Sequence, residues 1–116
     1  MKDWTNIRNR YLKDNLQIRL GGLAANLSRI KSFSLHSNNR EAVESLIDES
    51  KFFIEWTAFD ADINVAAELV ELQILLARWH YKFDSIWNQK IQLEQLVEQS
   101  SFWSRRVLEL SGLLRS

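Results

Sequence analysis

The sequence predicts one all-α domain over residues 1–116, an up-and-down bundle of three to four long helices that dimerisation could complete. The chain of 116 residues has no proline and only three glycines, whereas a β protein of this size would need more turn residues. No segment alternates apolar and polar residues for long, and apolar residues instead recur at spacings of three and four. We therefore expect helices joined by short polar loops.

The first helix is expected over about 4–32, with a kink. Gly21 and Gly22 each weaken a helix by roughly 1 kcal/mol relative to alanine. Together with Ala24 and Ala25 they also form a small-residue patch that another helix could approach closely. The apolar stripe of this helix is Leu16, Leu20, Leu23, Leu27 and Ile30.

A polar loop over 34–39 separates the first helix from the second, because its serines and asparagines compete with helical backbone hydrogen bonds. The stripe of the second helix is Val43, Leu46, Ile47, Phe53, Ile54 and Thr57. A second break is predicted over 59–62, where Asp62 can cap the helix that follows.

The third helix has two possible ends. Its stripe keeps a heptad phase past Ile86 as far as Val97, which favours a continuous helix over about 62–99, about 57 Å long. A monomer could not cover both ends of such a rod, so dimerisation would follow. The alternative is a turn at Asp84–Ser85, which allows a four-helix bundle to close on itself. The stripe is Val65, Leu69, Leu72, Leu76, Trp79, Phe83 and Ile86.

The third helix is also apolar beyond its stripe, so we expect it to lie in the middle of the structure and to contact several neighbours. The additional apolar residues are Ile63, Ala66, Ala67, Val70, Ile74 and Ala77. A cap at Ser100–Ser101 predicts a short last helix. Its stripe is Trp103, Val107, Leu110 and Leu114.

Charge is segregated along a chain whose formal net charge is zero. Seven bases and two acids precede residue 32, whereas nine acids and one base lie over 41–71. A basic N-terminal helix could contact nucleic-acid phosphates. Because the chain has no overall basic excess, we instead expect a basic helix beside an acidic one. The residues of the nucleic-acid alternative are Arg8, Arg10, Lys13 and Arg19.

Two pairs of acids, Glu41 with Glu44 and Glu68 with Glu71, lie on consecutive predicted helices. Paired helical carboxylates can hold Mg²⁺ against a substrate phosphate. Their spacing is loosely similar to that of the all-α nucleotide pyrophosphohydrolases, which implies a Mg²⁺-dependent hydrolase as an alternative function. The chain departs from that pattern, because its final acid is Glu71 rather than aspartate and the downstream Lys and Asn or Asp positions have no counterpart. A solvated acidic face is the simpler interpretation.

The segment RWHYKFDSIW, over 78–87, concentrates aromatic and charged residues. Most of it continues the third stripe, but His80 and Asp84 are four positions apart on one helix face. No nucleophile or oxyanion motif accompanies them, so they form no recognisable catalytic set. We expect Gln73, His80 and Asp84 to form a buried polar layer that fixes the register between helices or subunits.

Five tryptophans in 116 residues provide large anchors for a core or an interface. Phe52, Trp56 and Phe59 form a second apolar ridge on the second helix. This ridge is a candidate subunit or partner interface, and packing against the first helix is the alternative.

The chain has no cysteine, so it forms no disulfide and no thiolate site. Its longest wholly apolar run is Ile74–Ala77, and its N-terminus lacks the apolar run of a signal peptide. We expect a small cytoplasmic protein-interaction module, a homodimer or the partner of another protein, with no cofactor, no membrane contact and no catalysis of its own.

Overall fold

The computed structural model describes residues 3–113 as six α-helices and two short 3₁₀ turns, with no strand in that range. The helices are α1 Trp4–Lys13, α2 Leu16–Phe33, α3 Arg40–Thr57, α4 Ile63–Tyr81, α5 Phe83–Trp87 and α6 Lys90–Ser111. The 3₁₀ turns are Ser37–Asn39 and Ala58–Asp60. The predicted all-α class is confirmed, with four long helices as the body of the bundle.

Helix α2 lies at the centre of the bundle, between α6 on one side and α3 on the other. Helix α4 packs mainly on α3 and reaches α6, while α5 packs on α6 and α1 crosses α3. The stripes predicted for the first three long helices face this common core, and Leu23, Leu27, Ile47 and Leu72 are fully buried in it. Leu114 of the fourth predicted stripe lies outside the described residues. None of the helices within residues 3–113 is long and apolar enough to span a membrane.

The prediction of one kinked first helix is wrong, because the chain breaks before the glycine pair. Helix α1 ends at Lys13, and the Asn15 side chain caps α2 by accepting a hydrogen bond from the Ile18 amide at 2.9 Å. Gly21 and Gly22 lie inside an uninterrupted α2. The small-residue patch instead permits close helix packing, since the Ser104 hydroxyl of α6 donates to the Ala24 carbonyl at 2.8 Å.

Both predicted breaks around α3 are present. The chain leaves α2 after Phe33 and enters α3 at Arg40, and it leaves α3 at Thr57. Asp62 caps α4 as expected, because its carboxylate accepts hydrogen bonds from the amides of Asn64 and Val65 at 2.9 and 3.0 Å. The cap at Asp62 is visible in the sequence, because an aspartate carboxylate can accept hydrogen bonds from the free amides of a first helical turn.

The continuous helix expected over 62–99 is wrong. The chain bends at Lys82, forms the short α5, and turns at Asn88–Gln89 so that α6 can fold back onto α2. The bend at Lys82 leaves Phe83 and Ile86 buried, so the apolar stripe stays in the core although the helix does not continue. Without a long rod, the dimerisation argument based on helix length no longer applies.

The alternative turn at Asp84–Ser85 is also displaced, since both residues lie inside α5. The Asn88 side chain closes α5 by donating to the Asp84 carbonyl at 2.8 Å. The helix start predicted at Ser100–Ser101 is wrong as well. Ser100 lies buried in the interior of α6, where its hydroxyl donates to the Val97 carbonyl at 3.0 Å and needs no helix end.

Tyr11 joins α1 to the rest of the core. Its ring stacks on Phe53 with the ring centroids 4.0 Å apart, and its hydroxyl donates to the Arg19 carbonyl at 2.8 Å. The Thr57 hydroxyl lies 3.0 Å from the same oxygen and donates to it, because the phenol proton is already engaged. Burial raises the pKa of Tyr11 to about 12, against the opposing effects of the Thr57 hydrogen bond and the Arg19 charge.

Candidate functional site

Helix α4 presents a second row of apolar residues to the outside, which we call the outer stripe. Its members are Ile63, Ala67, Val70, Ile74, Ala77 and Tyr81. All six are exposed, and the exposed fractions of Ile63, Ile74 and Tyr81 are 80%, 57% and 88%. The expectation that α4 is buried around most of its circumference is therefore wrong.

The outer stripe has the spacing of a helix-pairing surface. Successive members are four, three, four, three and four positions apart, which is the heptad pattern of a coiled-coil seam. At 3.6 residues per turn the row lies about 180° from the buried stripe and is about 27 Å long. Single exposed apolar side chains are ordinary on a protein surface, whereas large contiguous apolar patches are typical of interaction sites.

Polar residues flank the outer stripe along both edges. Asn64, Glu71 and Arg78 follow one edge at intervals of seven positions, so they lie on the same side of the row. Glu71 and Arg78 are exposed, and neither forms an ion pair with another residue of 3–113. Their charges are consequently available to a molecule that covers the stripe.

The opposite edge contains part of the predicted polar layer. Gln73 donates to the Lys51 carbonyl at 3.1 Å, and the His80 Nδ1 lies 3.2 Å from the Lys51 ammonium nitrogen. Gln73 Oε1 is buried and accepts no hydrogen bond from another described residue. Lys51 was missed by the sequence argument, although it is the only base between Glu41 and Glu71 and so was a visible signal.

Asp84 does not belong to this layer. Its side chain is 86% exposed and forms an ion pair with Arg40, whose guanidinium lies 5.5 Å from the centre of the Phe83 ring. The predicted pairing of His80 with Asp84 assumed that one helix contains both residues. The bend at Lys82 removes that condition, so the layer contains Gln73 and His80 together with Lys51.

The aromatic ridge predicted as an interface is mostly covered by α1. The ring centroids of Trp4 and Phe52 lie 4.4 Å apart, and the ring centroids of Tyr11 and Trp56 lie 5.9 Å apart. Packing against the first helix, which the sequence left as the alternative, therefore accounts for Phe52 and Trp56. Phe59 is separate from this packing and is 97% exposed in the turn before α4.

The four carboxylates of the hydrolase alternative lie at three separate places. Glu68 accepts two hydrogen bonds from Arg106 of α6, both at 2.6 Å, and these hold the pKa of its carboxyl below its usual range. Glu71 borders the outer stripe, whereas Glu41 and Glu44 of α3 line an open cleft with His80 of α4. Among residues 3–113 no group of three or more His, Cys, Asp or Glu side chains is placed to hold a metal ion.

The basic segment of the nucleic-acid alternative is divided. Arg8, Arg10 and Lys13 are exposed on α1. Arg19 does not join these bases, because its guanidinium pairs with Asp60 at 2.9 Å and donates to the Asp14 carbonyl. At 3.6 residues per turn Arg8 lies on a different side of this ten-residue helix from Arg10 and Lys13, so the three bases form no single surface.

The outer stripe is thus the longest exposed apolar row on one helix among residues 3–113, and it has unpaired charges along one edge. Comparisons with protein-family models, with curated proteins and with solved structures found no match to this chain.

Proposed function

We propose that this protein is a small protein–protein interaction module that binds a helical partner through the outer stripe of α4 and has no catalytic activity of its own. A second copy of the chain is the partner that we favour. The observation that carries the proposal is the exposure of six apolar residues at heptad spacing along one helix. Heptad spacing is the pattern that a facing helix recognises through knobs-into-holes packing.

The energetic basis is the burial of apolar surface that the monomer leaves in water. Covering a large aliphatic or aromatic side chain gives about 1.5–3 kcal/mol, and the stripe offers four such side chains per chain. Part of this free energy is lost to the cost of association. A contact between single helix faces is small compared with the roughly 800 Å² per partner of a standard interface, so we expect micromolar affinity.

A homodimer needs one surface that is complementary to itself, since a twofold axis places the same residues on both sides of the contact. A straight row of large and small apolar residues meets this requirement, because the row can pair with its own copy. The acids of the hydrolase alternative belong to no group of three or more metal-binding side chains among residues 3–113.

Sedimentation equilibrium of the unmodified protein over a dilution series from about 200 to about 1 µM tests this proposal. We expect a mass that falls from twice the chain mass of 13.7 kDa to the chain mass on dilution. A mass of one chain at every concentration would end the proposal of self-association.

A further inference from the structure

We infer that the second copy binds the outer stripe in antiparallel orientation and in one register, with Ile74 facing Ala77 of the second copy. This inference rests on the proposed function and adds the identity, direction and alignment of the partner. In this register Val70 also faces Tyr81 of the second copy, and the twofold axis passes between positions 75 and 76 of α4. The paired layers comprise Val70, Ile74, Ala77 and Tyr81, and Ile63 and Ala67 lie beyond the end of the second copy's α4. Side-chain volume and edge charge both support the arrangement.

The outer stripe contains both large and small side chains. In the proposed register each layer pairs a larger with a smaller side chain, Ile74 with Ala77 and Tyr81 with Val70. Facing helices pack densely when large and small residues alternate across the contact. The longer antiparallel register, with Val70 facing Ile74, would pair Ala67 with Ala77 and leave a gap between two small side chains.

The charge argument depends on Glu71 and Arg78, which lie on the same edge of the stripe and are exposed. In an antiparallel helix pair, this edge meets the same edge of the partner. The proposed register brings Glu71 opposite Arg78 of the second copy, and the twofold axis repeats the contact. Two reciprocal ion pairs therefore flank the apolar layers, and neither charge has such a partner among residues 3–113 of its own chain.

The competing arrangements lack these pairs. The longer antiparallel register would place Glu71 beside Glu71 of the second copy, and like charges in contact disfavour association. In a parallel pair the two different edges meet, so Glu71 would face Ala66 and Arg78 would face Gln73. Only the proposed register gives opposite charges at both ends of the contact.

The other edge of α4 is compatible with the same register. Gln73 and His80 are half-buried on that edge, and the twofold axis brings each of them near the other residue of the second copy. Both side chains can donate and accept hydrogen bonds, so this edge pairs polar groups without a like-charge contact. This agrees with a register-fixing role for the polar layer of Gln73, His80 and Lys51.

Charge reversal tests the register. We expect Glu71→Arg and Arg78→Glu each to weaken homodimerisation by about tenfold, because each substitution creates two like-charge contacts and removes two ion pairs. Mixing the two variants should restore association as a heterodimer within about threefold of the unmodified affinity. Native mass spectrometry distinguishes the heterodimer from both homodimers by mass.

The matched controls are Glu98→Arg and Arg105→Glu, which reverse exposed charges on α6 and should leave the dimer unchanged. The double variant Glu71→Arg/Arg78→Glu exchanges the pair within one chain and should dimerise like the unmodified protein. If the single variants dimerise normally, or if their mixture forms no heterodimer, the register is wrong. The proposed function is tested separately by the mass of the unmodified protein, so the two failures are distinguishable.

Discussion

Ile74→Asp is expected to convert the dimer into a monomer and to raise the dissociation constant by at least about 100-fold. Ile74 lies at the centre of the inferred contact, and the twofold axis would place two carboxylates there. A carboxylate buried without a partner is strongly unfavourable, and the aliphatic contacts would also be lost. The monomer should remain folded, because the Ile74 side chain is 57% exposed and points away from the core.

Sedimentation velocity measures the association, and far-UV circular dichroism verifies the helical fold. Ile91→Asp is the matched control, because Ile91 is the same residue type, is 70% exposed, and lies on α6. We expect this control to dimerise normally. A dimer of Ile74→Asp with unchanged affinity would contradict the assignment of the interface to α4.

Alkaline pH is expected to destabilise the fold through Tyr11. Its pKa is about 12 in the folded protein and 10.0 as the ordinary value, so the folded state binds the phenol proton more tightly than the unfolded state. The protonated Tyr11 side chain makes its full contribution to the free energy of unfolding below pH 10, and this contribution is lost as the pH rises toward 12. The free energy of unfolding should fall by about 2 kcal/mol over this range from Tyr11 alone.

Denaturant unfolding at a series of pH values measures this loss, and Tyr11→Phe is the reference because phenylalanine has no titrating group. Both proteins should contain Ile74→Asp, so that changes in association do not enter the free energy of unfolding. Lysine titration affects both proteins equally, so the difference between their free energies of unfolding reports the effect of Tyr11 alone. If both lose the same stability between pH 10 and 12, the Tyr11 hydroxyl does not make the buried contacts described here.

The sequence predicted the buried side of each helix better than the points where the helices end. Leu69, Leu72 and Leu76 are buried as their spacing required, because periodicity reports directly which residues share a face. The bend at Lys82 has no such signal. The bend keeps Phe83 and Ile86 in the core while α6 returns to α2. It therefore depends on packing between distant parts of the chain, which local sequence does not show.

For the candidate site, too, the sequence predicted the apolar faces better than the arrangement of the helices around them. Five of the six residues of the outer stripe, all but Tyr81, are recognisable in the sequence as a second apolar side of α4, which predicts a helix in the middle of the structure. A bundle in which α4 packs mainly on α3 covers only one of these sides. Periodicity identifies both faces, whereas the number and placement of the neighbouring helices decide which one stays exposed. Asp84 was misplaced for a related reason, since helix continuity was assumed through Lys82.

Single-cysteine cross-linking tests the interface on α4 most directly, since the chain contains no cysteine of its own. In the inferred dimer the two copies of Ala77 are about 4–5 Å apart along the helix axis, whereas the two copies of Ala67 are about 26 Å apart. A short bis-maleimide should therefore link Ala77→Cys into covalent dimers and leave Ala67→Cys unlinked. Efficient linking at both positions would show a parallel dimer. No linking at Ala77→Cys would contradict the inferred register, because the longer antiparallel register separates the two copies of Ala77 by about 15 Å.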